Sequence, residues 1–501
     1  MRPVRVLFAA VCLPFLPAQS AVCAATPSST PTISTHWDHG VRTSRSTATL
    51  QVVVNPLLRP GAAISAPSWR AVQELGADYV RYVPWLPYPK LSVAELEPPT
   101  PQKTSWNFSR IDPMMKELMG ATAGHSTIIN FSTIPAWLFQ TPNPVSYPAD
   151  PDQVDWHYTQ GTELKDPSGK QLGDYYARLV SWYTDGGFTD ENGVYHHSGH
   201  HYPLPWWEVL NEVDFEHSMT PQQYTARYDA IVTAIHRVSP TTKFVGLALA
   251  MPGRSPDYFE YFLNPRNHKP GIPLDMISYH FYASPKPRET LDDWQYTFFD
   301  QADGFLATVR YIQQIRKRLS PGTRTDCDEL GAILPTDNTA ADKTPPPAAY
   351  WNLAGSLYAY LYIQLTQLGI DVIGESQLVG FPSQFPSVSM MNWSSGRPNA
   401  RYWVLRLIHE HFQPGDTLVQ TGISANRGDA IAAQGFDTTE GRHVLLVLNK
   451  RNRAVTVHLK NPGAQSALVV DATTGEGPAR PLTIRDSSVT LAPFAVAVVQ
   501  W

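Results

Sequence analysis

The sequence predicts an α/β protein, a (β/α)₈ barrel followed by a small all-β domain of sandwich type. Three observations predict it. Short β-branched runs alternate eight times with helical stretches over residues 48–414, the pattern of βα units around a parallel sheet. From about Gly415 helix signals stop and strand-like runs follow at short spacing. At 501 residues the chain exceeds the roughly 250–300 residues that one hydrophobic core spans, so a large domain and a smaller one are expected.

Residues 1–25 read as a signal peptide. Arg2 and Arg5 form a charged start, Val6 to Pro17 an apolar run too short to span a bilayer, and small residues from Ser20 to Ala25 allow cleavage. The expected location is secreted or periplasmic, with a lipid anchor on Cys23 as the minor alternative. No later stretch is long and apolar enough for a transmembrane helix. Residues 26–47, rich in Ser, Thr and Pro without periodicity, read as a linker.

The barrel strands are then expected at Leu50–Leu58, Ala77–Val83, Ser126–Phe131, Trp206–Leu210, Phe244–Leu249, Met276–Phe281, Arg324–Leu330 and Ile370–Gly374. Helices are expected at Pro67–Leu75, Ile111–Met119, Asp174–Tyr183, Pro221–Val238, Asp300–Leu319, Ala348–Leu368 and Tyr402–His411. In the fourth of these, Tyr224, Tyr228, Ile231 and Ile235 recur at helical spacing after Thr220, a good cap, and Pro221. The β-domain, 415–501, has strand-like runs at Ala430–Phe436, His443–Asn449, Ala454–Leu459, Ala467–Asp471 and Phe494–Val499.

Composition narrows the function. A net charge of −5 supplies no basic field for nucleic acid. Fourteen Trp and 23 Tyr offer flat rings that suit sugar faces, although a large barrel also buries many aromatics. Cys12 and Cys23 lie in the leader, leaving Cys327 alone in a mature chain, which excludes an internal disulfide and a cysteine-ligated zinc site.

Catalytic residues of a barrel sit at the C-terminal ends of its strands. Glu212 ends the fourth run, Trp206-Trp207-Glu208-Val209-Leu210-Asn211-Glu212, and Glu329 ends the seventh. Glycoside cleavage needs such a pair: one carboxyl protonated to release the leaving oxygen, the other ionised to attack the anomeric carbon or activate water. A separation of about 5–5.5 Å makes the second a nucleophile and retains configuration. A carboxylate neighbour would raise the pKa of Glu212.

These residues resemble glycoside hydrolase clan A, whose barrels carry an Asn-Glu pair after strand four and a Glu at strand seven. Trp207 to Glu212 is most similar to family 39. The resemblance implies Glu212 as acid/base, Glu329 as nucleophile and Asn211 on the sugar 2-hydroxyl. It also implies Arg81 beside the nucleophile, and His280 or Tyr282 hydrogen-bonded to it. Strand seven departs from the family pattern, since Asp328 precedes Glu329 and Leu330-Gly331 follow it.

Other residues have competing readings. Glu375, on strand eight, could bind substrate or replace Glu329. Asp326 and Asp328 alternate with Glu329, so they should point away from the lumen to helix partners, while Cys327 shares its inward parity as a small packing residue. The run His196-His197-Ser198-Gly199-His200-His201 is expected to overhang the substrate rather than hold metal. Trp85, Trp137 and Trp393 are candidate sugar platforms, and Trp206 reads as core. The expected ligand is an oligo- or polysaccharide, with no metal or other cofactor, and nothing in the sequence specifies an oligomeric state. Two other readings are a non-catalytic carbohydrate-binding barrel and a metal-dependent barrel hydrolase.

Overall fold

The computed structural model describes residues 30–158, 161–335, 337, 346–380 and 385–501. Eight parallel strands close into a barrel in chain order: Thr47–Val53, Val80–Val83, Thr127–Ile129, Trp206–Glu208, Lys243–Leu249, Met276–Ala283, Arg324–Ala332 and Val372–Glu375. Helices Ser65–Leu75, Asp112–Ala121, Lys170–Thr184, Pro221–Val238, Leu291–Leu319, Ala348–Leu368 and Ala400–His411 surround it, together with a short helix, Asp257–Phe262. Ile128, Trp206, Val245, Met276 and Val372 fill the floor of the barrel, and Arg324 lies over the Trp206 ring at 5.4 Å, so Trp206 is core.

Local chemistry sets the helix starts. Thr220 and Gln223 form a reciprocal capping box with Pro221 in the first turn. At Leu291–Leu319 the Asp293 carboxylate accepts from both the N–H and the hydroxyl of Thr290, at 2.8 and 2.9 Å, which is why that helix begins nine residues before the Asp300 expected from apolar spacing alone. Ala348–Leu368 is buried on nearly every side because barrel strands cover one flank and the β-domain the other. Such a helix loses the one-sided pattern of a surface helix.

The β-domain is a nine-stranded sheet. Its strands alternate sides with period two. Val444, Leu446 and Leu448 join the core shared with the barrel helices, while Leu445 and Val447 join the domain's own core. Val496 and Val498 oppose Ala497 and Val499 in the same way.

The described part of the expected linker is instead a strand, Thr32–Thr43, paired with Thr417–Ser424 and with Val455–Leu459. Its Ser, Thr and Gly residues suit a tether as well as a strand, and the partner strands lie almost 400 residues away in sequence, so no local pattern marked it. The expected leader, with Cys12 and Cys23, lies outside the described residues. No described helix is long and apolar enough to cross a membrane.

Candidate active site

The strand ends converge on one guanidinium. Arg81, on the second strand, is fully buried. Its Nε donates to Glu208 Oε2 at 2.5 Å and lies 2.9 Å from Asp328 Oδ2. Its Nη1 donates to Glu329 Oε1 at 2.6 Å and its Nη2 to Asn211 Oδ1 at 2.6 Å. One side chain thus ties together the second, fourth and seventh strands.

Glu329 is held on both oxygens. Gln51 of the first strand donates to Oε1 and Tyr282 of the sixth to Oε2, each at 2.6 Å. The Ser376 hydroxyl lies 2.6 Å from both Gln51 Oε1 and the Tyr282 hydroxyl and donates its one proton to either, closing a ring of polar contacts around the carboxylate. Burial works against charge on Glu329, but His280, Arg81 and the Tyr282 hydroxyl together hold its carboxyl below the ordinary range.

Glu212 follows the fourth strand on a bent segment. Leu210 and Glu212 both have positive φ, 66° and 42°, a conformation that costs a non-glycine residue on the order of 1–3 kcal/mol and marks a site fixed by its surroundings. The Glu212 N–H is anchored on the Ala248 carbonyl at 2.8 Å. Its carboxyl faces His280 Nδ1 at 3.0 Å, and His280 stands 3.4 Å from Glu329 Oε2. Burial is the main force raising the Glu212 pKa; His280 opposes it, and the Glu329 charge adds a smaller push. The neighbouring carboxylate is thus the lesser cause, because removal from water outweighs one screened repulsion. The two glutamates approach within 4.8 Å through carboxylate oxygens.

The cleft above them measures about 820 Å³, within the range of small-ligand sites. Trp85, Trp156 and Phe385 line it with ring centroids 5.4–6.0 Å apart. Phe215, 60% exposed, lines it as well.

Several expectations are corrected. Asp326 and Asp328 are buried inside the barrel, not turned toward the helices. A β-bulge in the seventh strand is the reason: Asp326 pairs with Ser278 but Glu329 with His280, three residues against two. The extra residue lets Asp326, Asp328 and Glu329 all face inward, while Cys327 turns outward against Tyr279. Burial pushes both aspartates well up, so the one guanidinium is left to Glu208 and Glu329. Glu208, bonded by Arg81, Asn130 and Ser278, stays below the ordinary range despite burial.

Glu375 does not reach the cleft. It pairs with Leu50, whose neighbour Gln51 is the inward residue, so Glu375 faces outward to Arg401 Nε at 2.9 Å. Trp137 donates its indole N–H to the Glu95 carbonyl at 2.9 Å and does not line the cleft. Trp393 lines a different cavity, beside Trp351 and Glu476. The histidine run forms a hairpin side: His196 meets Asp190 at 2.8 Å and His200 meets Asp112 at 3.3 Å. It does not line the cleft, because a loop that leads into a barrel strand sits at the end opposite the strand's C-terminus.

Sequence reasoning missed three polar residues. Gln51 and Ser376 were signalled only by inward parity once register is known. Glu216 lies four residues after Glu212, in a turn where its N–H donates to the Glu212 carbonyl at 2.7 Å. It accepts from Trp85 Nε1 and, at 3.0 Å, from Asn211 Nδ2. Its other oxygen is buried without a partner, and burial followed by the Glu212 charge pushes this carboxyl well up.

Glu212, His280 and Glu329 also form, among the described residues, a grouping with metal-ligand spacing. Arg81 already places a permanent positive charge 2.6 Å from one of the three donors, which disfavours a second cation there.

Residues 428–499 match the family model of the D-apionate lactonase C-terminal immunoglobulin-like domain. No curated protein matches the sequence. Among solved structures, the chain is similar to a family 51 α-L-arabinofuranosidase from Bifidobacterium longum, at TM-score 0.62 and 14% identity over 95% of this chain and 99% of that one. A GH30 endoxylanase from Clostridium papyrosolvens C71 gives 0.57 and 14% over 94% and 99%. A glucosidase from Croceicoccus marinus gives 0.59 and 16% over 94% and 98%. Each likeness spans barrel and β-domain together, so the whole two-domain fold, not the barrel alone, is the one these chains share.

Proposed function

We propose that this chain is an exported retaining glycoside hydrolase of clan A, with Glu212 as acid/base and Glu329 as nucleophile. The observation that carries the reading is the pair itself: two carboxyls within 4.8 Å whose surroundings push their pKa values apart, Glu212 up and Glu329 down. Opposed protonation at short range is what double displacement requires. The glycosidases among the structural neighbours support the reading, and so does the aromatic wall of the cleft. Family 39 is the nearest form by sequence motif; families 30 and 51 are those of the neighbours.

In the first step Glu329 attacks the anomeric carbon while Glu212 gives its proton to the leaving oxygen. Arg81, Gln51 and Tyr282 hold Glu329 ionised and aimed. Once the covalent intermediate forms, the Glu329 charge is gone. Glu212, left ionised by the first step, then takes a proton from a water whose oxygen attacks the anomeric carbon, and Glu329 departs as the free carboxylate. Asn211, fixed by Arg81 and Glu216, is placed to meet a sugar hydroxyl. The proposed substrate class is a β-linked plant or microbial polysaccharide or its fragments.

The test is nitrophenol release from a panel of aryl glycosides, with and without chelator. Turnover that survives chelation, and a Glu212→Ala variant rescued by azide as a glycosyl azide of retained configuration, support the reading. An inverted azide product, or activity restored only by added zinc or calcium, contradicts it.

A further inference from the structure

We propose that the seam between barrel and β-domain holds a second saccharide-binding site, separate from the catalytic cleft. A cavity of about 600 Å³ lies there, between the start of helix Ala348–Leu368, the loop after the eighth strand and the turn after strand Ser466–Val470. Trp351 and Trp393 both line it, half-buried and resting on the core. Asn352 lines it too. It is only 7% exposed, and its Oδ1 is buried with no hydrogen-bond partner among the described residues. Leaving such an acceptor unsatisfied costs about 1–3 kcal/mol, which a ligand hydroxyl would relieve.

The remaining groups select the ligand. Among the described residues the helix has no side-chain cap, and its first turn, Ala348 and Ala349 at the cavity wall, presents backbone N–H groups that the helix itself does not use. Glu476, on the β-domain side, accepts from Asn392 at 2.7 Å and pairs with Arg397 at 2.6 Å. An anion would meet the Glu476 charge and the Asn352 oxygen. A metal ion would find one carboxylate, already neutralised by Arg397. A purely apolar ligand would leave Asn352 and the helix N–H groups unmet. A neutral sugar meets each requirement: its hydroxyls both donate and accept, and its C–H faces stack on indole rings. The site opens where the C-terminal end of the eighth barrel strand leads, the same end of the barrel as the cleft, so a polysaccharide chain could engage both and gain effective concentration.

The choice of a polysaccharide as probe rests on the proposed glycosidase activity; the site itself does not. The test is affinity electrophoresis of the full chain carrying Glu329→Gln, through gels containing arabinoxylan, mixed-linkage β-glucan or galactan. At least one polymer should retard the chain. Trp351→Ala and Trp393→Ala should each weaken that retardation at least tenfold, and Ala472→Trp, which fills the exposed rim without touching the core, should do the same with unchanged melting temperature. Trp85→Ala, in the cleft, should leave most of it. Absence of retardation by all three polymers, or retardation unchanged in Ala472→Trp, overturns the proposal. Failure of every aryl glycoside to turn over would instead overturn the catalytic reading and leave this binding result standing.

Discussion

The seventh and eighth barrel strands lie side by side, and each carries a glutamate near its end that is paired with a buried arginine. Glu329 meets Arg81 inside the barrel; Glu375 meets Arg401 outside it. Residue type, burial and partner are alike, yet only one carboxyl reaches the cleft. Register makes the difference. The bulge between Asp326 and Glu329 turns the end of the seventh strand inward, while the eighth strand keeps plain alternation and sends Glu375 to the helices. Their charge states diverge accordingly. Two hydrogen-bond donors besides Arg81 keep Glu329 ionised. Glu375 has one arginine and an unpartnered oxygen, and burial pushes it up to about 8.

The comparison can be broken by exchanging the consequences of loss. Glu329→Gln should lower kcat on aryl glycosides by on the order of 10⁴-fold with the fold intact, since an amide cannot attack the anomeric centre. Glu375→Leu should do the reverse. It leaves the buried Arg401 Nε without its acceptor, costing about 1–3 kcal/mol of stability by denaturant unfolding, while kcat at a temperature where it stays folded falls less than about threefold. Equal loss of turnover in both variants would put Glu375 back in the chemistry.

The pH profile sharpens the same contrast. A raised Glu212 stays protonated, and therefore useful as an acid, until pH climbs past its folded value. A lowered Glu329 stays ionised until pH falls past its own. kcat/KM should therefore be bell-shaped, with the acid limb from Glu329 and the basic limb from Glu212. Glu212→Ala, assayed on a substrate whose leaving group needs no proton, should lose the basic limb and keep the acid one. A basic limb that survives would point to His280, whose own pKa is raised by the two glutamates against the effect of burial.

The barrel was legible because its elements repeat a local signal: eight strands and six of the seven long helices start within a few residues of where period and caps put them, Leu291–Leu319 starts nine residues early, and Ala348–Leu368 and Pro221–Val238 fall on them. Glu212, Glu329, Arg81, His280 and Tyr282 meet because strand ends of a barrel meet. What stayed hidden depends on register. One bulge reversed the facing of Asp326, Cys327 and Asp328, and nothing in Asp-Cys-Asp-Glu announces it. Trp137 and Trp393 were assigned to the cleft by residue type alone, where loops decide. Trp85, also suggested by type, does line it. The strand Thr32–Thr43 escaped because its partners are distant in sequence.

The smallest expected effect falls on the residue the bulge turned outward. Cys327 packs against Tyr279 away from the cleft, and burial raises its thiol well above the ordinary range. Thiol-directed alkylating reagents should leave both modification state and activity of the native chain unchanged. Inactivation in parallel with labelling of Cys327 would mean that the seventh strand runs without its bulge.

The most direct measurement of the central claim is covalent trapping with a 2-fluoro glycoside carrying a good leaving group, followed by mass spectrometry of the digested chain. The fluorine slows hydrolysis of the intermediate, so the carboxylate that attacks the anomeric carbon keeps the sugar. The account predicts a single adduct on Glu329. An adduct on Glu375, or on Glu212 or Glu216 with Glu329 unlabelled, would contradict it.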